Sequence, residues 1–249
     1  MLFCQGEVWA RVIEESQGRL VDSKFLFGYA EERGRLFCQH TGCPEYKTVP
    51  REFINAPCAS KLARTLSGYD MPISFQSPGN DPTRYVALIF QDPLRPIKED
   101  NKLTVGIPFA LSSFEMRKKK RYEFVYKLIQ RINEAGFGVW VTDVTKIWIE
   151  RKAKLKFTRD EKRQLNDEQT QSLKEELGIV RPKLVIAFGN RAQNTLRNCG
   201  IEFRPHPHPG ARSGTALKKI YGLTNGRFGF DYKYSAAWKD IQKALDGMR

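Results

Sequence analysis

Three short stretches in the second half of the chain are apolar almost throughout and bounded by polar residues: YVALIF at 85–90, FGVWVT at 137–142 and KLVIAFG at 183–189. Runs of this length, rich in β-branched and aromatic residues, predict central strands of a parallel sheet covered on both faces. Between them the apolar positions recur at helical spacing. The first intervening helix takes Ser112 or Ser113 as its cap, sets Val125, Leu128, Ile129 and Ile132 on one face and stops at Gly136. The second takes Asn166 as its cap, with Gln169 three residues on, and stops at Gly178. A last helix begins near Ser235 and turns Trp238, Ile241, Leu245 and Met248 inward.

Buried strands alternating with amphipathic helices predict an α/β protein, a three-layer α/β/α sandwich around a central, mostly parallel sheet whose crossovers send the strands the same way. This domain takes residues 81–249. Residues 1–80, with glycine-punctuated apolar runs such as RLVDSKFLFGYA before the turn-rich SFQSPGNDPTR, read as an N-terminal extension or cap.

In open α/β sheets the ligand site lies outside the carboxyl ends of the strands. QDP follows the first strand, DVTK the second and GNRAQ the third, while RPHPHPG follows the short GIEF. These four polar segments are expected to share one edge of the sheet. The prolines of FRPHPHPGARSG are expected to hold that stretch as a stiff loop, neither helix nor strand.

Charge names the partner class. The 249 residues hold 42 Lys plus Arg against 28 Asp plus Glu, a net charge of +14, which creates an attractive field for a polyanion. DNA is the expected partner, with Lys118 and Lys119 of the RKKKR cluster at 117–121 and Arg191 among its contacts. No run of eighteen apolar residues occurs, and MLFCQGEVWARVIEE lacks the basic start and apolar stretch of a signal peptide, so a soluble, cytoplasmic monomer with no membrane partner is expected. Five cysteines suit a reducing compartment. Catalysis is expected to need no cofactor. Cys38, His40, Cys43 and Cys58 are candidate ligands for a structural zinc or an iron–sulfur cluster, against the alternative of ordinary buried thiols, because their spacing is not a CxxC pair.

On the expected edge, Asp92 can position a water or stabilise a cationic transition state. Asp143 can accept hydrogen bonds from a ligand's N–H groups. His206 or His208 can donate to a developing oxyanion or leaving group, and Phe109 can stack on a flat ring. Together with a basic surface these suit chemistry on a nucleobase taken out of a duplex.

In order, VALIFQDP, GIPFALSS, VWVTDVTK, RPKLVIAFGNRAQ and HPHPG resemble the motifs of the uracil-DNA glycosylase superfamily over about residues 85–215. The resemblance implies that Asp92 activates water and stabilises an oxocarbenium-like sugar. It further implies that the Gln91 backbone and Phe109 hold the extruded base, and that His206 stabilises the anionic leaving base.

The chain departs from that pattern in three places. Asp143 stands where the family has Asn, and an acceptor-only side chain prefers an exocyclic amino group such as cytosine N4 over uracil N3–H and O4. Leu94 stands where uracil-specific members carry a Tyr that excludes C5 substituents. His208 replaces the family's serine, Gly210 stands where a bulky wedge often fills the emptied stack, and Arg212 is a candidate wedge or phosphate clamp. The expected activity is therefore excision of a C5-modified cytosine, hydroxymethylated or glucosylated, in foreign or phage DNA. Repair of uracil or another deaminated base, and non-catalytic DNA binding on the same fold, are the alternatives.

Overall fold

A computed structural model describes residues 2–3, 6–39, 46–93, 101–118, 120–210, 221 and 230–248. The strands are β1 (Leu2–Phe3), β2 (Lys47–Thr48), β3 (Ser67–Asp70), β4 (Ile73–Gln76), β5 (Tyr85–Phe90), β6 (Leu103–Gly106), β7 (Gly138–Asp143), β8 (Ile147–Ile149), β9 (Leu184–Phe188) and β10 (Arg204–His206). The helices are α1 (Glu7–Arg11), α2 (Ser23–Gln39), α3 (Ala59–Leu62), α4 (Phe114–Arg117), α5 (Lys120–Glu134), α6 (Arg159–Val180), α7 (Asn190–Asn198) and α8 (Phe230–Asp246). The protein is mixed α/β, with two mixed sheets.

The larger sheet has the order β1-β4-β7-β5-β9-β10. Its parallel part, β7-β5-β9-β10, contains the three apolar runs. The crossovers do not send every strand the same way, because β4 runs antiparallel to β7. The chain leaves β5 toward β7 on one side and leaves β9 toward β10 on the other. The carboxyl ends of β5 and β9 therefore flank the point where the crossovers diverge, the place where open α/β sheets form a ligand crevice between exit loops.

Strand alternation divides the side chains between two helix-covered faces. On one, Phe90 stacks on Phe188 with ring centroids 4.7 Å apart, Phe124 of α5 meets Phe188 edge-on, and Tyr234 of α8 meets Phe124. On the other, the Trp140 indole N–H donates to Glu176 of α6 at 2.7 Å. Glu176 also pairs with Lys146, and both side chains are fully buried. Gln17 donates to Glu176 at 2.9 Å and accepts from the Tyr69 hydroxyl at 2.8 Å, so one polar network ties α6 and β7 to β3 and the N-terminal segment.

The first 80 residues supply β1 and β4 to the larger sheet and β2 and β3 to a second one, of order β2-β6-β3-β8. One hydrophobic cluster runs from Trp9 and Val12 through Leu88 and Val141 to Leu245. That second sheet has no counterpart in the sequence reading, whose strand signals came from runs longer than its two- to four-residue strands.

Elements differ from expectation at both ends of α6, at both ends of α8, which starts at Phe230 and not near Ser235, and at 204–206. Helix α6 begins at Arg159, not after Asn166, because Thr158 and Glu161 form a reciprocal capping box eight residues earlier. It runs past Gly178, whose exposed position leaves Leu177 and Val180 buried, and ends where Arg181 turns left-handed. Met248 lies beyond the end of α8 and is exposed, while Ile241 and Leu245 are buried. Residues 204–206 form a strand despite Pro205, which the edge position of β10 tolerates because its outer side needs no donor. Among the described residues no helix is long and apolar enough to cross a membrane.

Candidate active site

Asp92 follows β5, and Arg191 lies in the first turn of α7 after β9. Arg191 Nη1 donates to Asp92 Oδ2 at 2.7 Å, so the ion pair spans the crevice between the two exit loops. The Asp92 side chain is only 13 % exposed. Burial pushes its carboxyl above the usual Asp range, and Arg191 opposes that shift without cancelling it. A largely buried carboxylate beside one half-exposed cation can act as a base or face a developing positive charge.

Beside the pair, Gly189 caps α7 with φ +89°, and no side chain closes that helix end. A Cβ at this position would sit 2.9 Å from Gln91 Nε2 and 3.2 Å from the Cβ of His208. Glycine is required here twice, by its backbone angle and by the close approach of those two side chains. The Gly189 N–H donates to the His206 carbonyl at 2.8 Å, which extends the β9–β10 pairing up to the crevice.

His208 accepts a hydrogen bond from the Gly210 N–H into Nδ1 at 3.1 Å. Burial pushes its imidazole pKa down, so the ring is neutral at neutral pH. With Nδ1 occupied as an acceptor, the proton resides on Nε2, and His208 is a neutral hydrogen-bond donor beside Gln91 and Gly189.

His206 occupies a different environment. It is fully buried at the end of β10, with Nδ1 2.9 Å from the Tyr221 hydroxyl and Nε2 3.1 Å from Asp240 Oδ2 of α8. The Asp240 contact has ion-pair distance but poor hydrogen-bond alignment, so Nε2 lacks an aligned partner among the described residues. The Asp240 carboxyl is nevertheless held below its usual range, mainly by His206 and less by Arg204.

A family-model scan and a search of curated proteins match nothing to this chain. The site is therefore read from its own geometry.

Phe109 sits in the turn after β6 with φ 56° and ψ 18°, followed by Ala110 at φ 49°. Two successive left-handed residues that are not glycine cost of order 1 kcal/mol each. The turn holds the half-buried Phe109 ring edge-on to Phe90 at 4.5 Å and to Tyr122 at 6.0 Å. Asp143, in register with Phe90, ends β7 on the same face and is 3 % exposed. Past the strands, Val144 N–H donates to the Phe90 carbonyl and Thr145 N–H to the Gln91 carbonyl, zipping the exit loops of β5 and β7 together.

Asp92, Gln91, Arg191 and His208 thus meet at the crevice, with Phe109 and Asp143 joined to it through Phe90. Other expected contributors lie elsewhere. Lys146 of DVTK points into the buried Glu176 network on the opposite face. Arg117, first of the basic cluster, is buried, donates to the Leu111 carbonyl at 2.9 Å and stacks over Phe37 at 4.2 Å. Its neighbour Lys118 is exposed. Lys119, Leu94, Arg212, His40 and Cys43 lie outside the described residues, as does the Cys38 side chain. Cys58 caps α3 in a left-handed conformation as a free, half-buried thiol whose pKa burial pushes up. Sequence reasoning passed over Gly189, whose signal was a glycine between an apolar strand and a helix opening.

Proposed function

We propose that this chain is a DNA glycosylase of the uracil-DNA glycosylase type that hydrolyses the N-glycosidic bond of an extruded, C5-modified cytosine. The observation that supports this most is the convergence on Gly189 of His208 and Gln91, whose neighbour Asp92 is a largely buried carboxylate paired with Arg191. In this reading water adds to C1′ as the C1′–N1 bond breaks. Asp92 orients that water, accepts the proton it loses and stabilises the cationic sugar, while the departing base carries away the bonding electron pair as an anion that solvent then protonates.

His208 takes the role of leaving-base stabiliser that the family resemblance gives to His206. Its Nε2–H is available to the base O2, whereas His206 is fully buried against Asp240 and Tyr221. Phe109 stacks on the extruded ring, and the Asp143 carboxylate accepts from the exocyclic amino group. The experiment is abasic-site formation in hydroxymethylcytosine DNA by the wild type and by Asp92→Ala. Loss of cleavage with retained DNA binding in the variant supports the reading; equal cleavage by both removes Asp92 from it. DNA binding without abasic sites in either protein makes the chain a binder on this fold. Asp143→Asn is expected to shift preference toward uracil.

A further inference from the structure

A cavity of about 440 Å³ lies between β8, the basic turn after it and the first half of α6. Its size falls in the range of small-molecule sites, about 300–1,000 Å³, and exceeds what a bare ion needs. Two of its lining residues also build the crevice: Thr145, bonded to the Gln91 carbonyl, and Arg191, paired with Asp92. The cavity and the crevice therefore share a wall.

Among the charged lining residues cations outnumber carboxylates. Arg151, Lys154 and Lys162 face it with Arg191, and none of the first three is held in an ion pair among the described residues. The one carboxylate, Glu150, accepts the Lys152 and Ala153 N–H groups at 2.7 and 2.9 Å and is committed to that turn. Ile149 and Leu165 provide an apolar wall, and the half-buried Trp148 provides an aromatic one. Clustered cations beside an aromatic ring are the arrangement that binds an unpaired nucleotide, phosphate on the charges and base on the ring.

We propose that this cavity is a second nucleotide subsite, which holds a nucleotide flanking the one in the crevice, its phosphate on Arg151, Lys154 and Lys162 and its base against Trp148. The proposal rests on reading the crevice as the site of the extruded base. A free mononucleotide offers the same chemistry, and the test separates the two sources.

The 249-residue chain with Asp92→Asn, expected to lack turnover, is titrated with a short duplex containing a single abasic-site analogue that fixes the register. Each phosphate near the analogue is replaced in turn by a neutral methylphosphonate, and the series is repeated with Arg151→Gln/Lys154→Gln. One position is expected to lower the salt-dependence slope of log K by about 0.9 in the parent and to have no further effect in the double variant. Losses that add independently at every position would overturn the proposal. So would deoxynucleoside monophosphate binding as tightly as the duplex and in a manner sensitive to the double substitution. Because the readout is binding, absence of base excision by the wild type would remove the proposed reaction and leave the phosphate coupling to be judged separately.

Discussion

At the scale of single residues, the two histidines of HPHP have different surroundings, set by their burial and partners. In the proposed reaction His208→Ala would remove a donor from the developing oxyanion and is expected to lower the single-turnover rate by about 10²–10³ with little change in stability. His206→Ala leaves Asp240 and Tyr221 without their buried partner and is expected to cost about 1–3 kcal/mol of stability, measured by urea unfolding. Arg191→Gln tests the ion pair across the crevice. Burial raises the Asp92 pKa and Arg191 lowers it, so removing the cation moves the acid limb of the pH–rate profile to higher pH. A limb that stays in place or moves down would show that Arg191 does not govern the Asp92 charge.

At the scale of elements, helix α6 is locked to the turn that follows β7 by Glu176 and Lys146, both fully buried. Glu176→Gln strands a buried ammonium and is expected to cost about 3–5 kcal/mol, whereas Lys146→Met/Glu176→Leu is expected to recover most of that loss. Denaturant unfolding of the three proteins checks both. Helix α8 is tied to β10 by Asp240, whose folded pKa lies below its unfolded value. Its contribution is complete above the ordinary Asp range and is lost as pH falls through the lower, folded pKa. Asp240→Asn is expected to flatten the acid side of the stability profile by that contribution.

The elements also show what a sequence can reveal. β5, β7 and β9 were legible because a strand buried on both faces must be apolar throughout. β10 was not, because Pro205 reads as a strand breaker unless the strand is known to lie on an edge. The expected start of α6 is Asn166 with Gln169, but the cap used is Thr158 with Glu161, and Asn166 lies inside the helix. Asp92 was legible from its position after an apolar strand. Its pairing with Arg191 was not, since the two are 99 residues apart and meet only through the crossover order. The roles of His206 and His208 depend on where β10 ends, which two identical His-Pro steps do not reveal.

At the scale of the whole molecule, the crossovers diverge between β5 and β9, and the crevice there collects a buried carboxylate, a neutral imidazole and a basic margin. If DNA is the partner, as the proposed function requires, a chain carrying +14 net charge should bind it with an affinity that falls steeply with salt. The most direct test of the proposed function is a set of duplexes alike except for one central base: cytosine, uracil, hydroxymethylcytosine or glucosylated hydroxymethylcytosine. The prediction is abasic-site formation at one or both modified cytosines, abolished by Asp92→Ala, with unmodified cytosine spared. Cleavage at uracil alone would contradict the account.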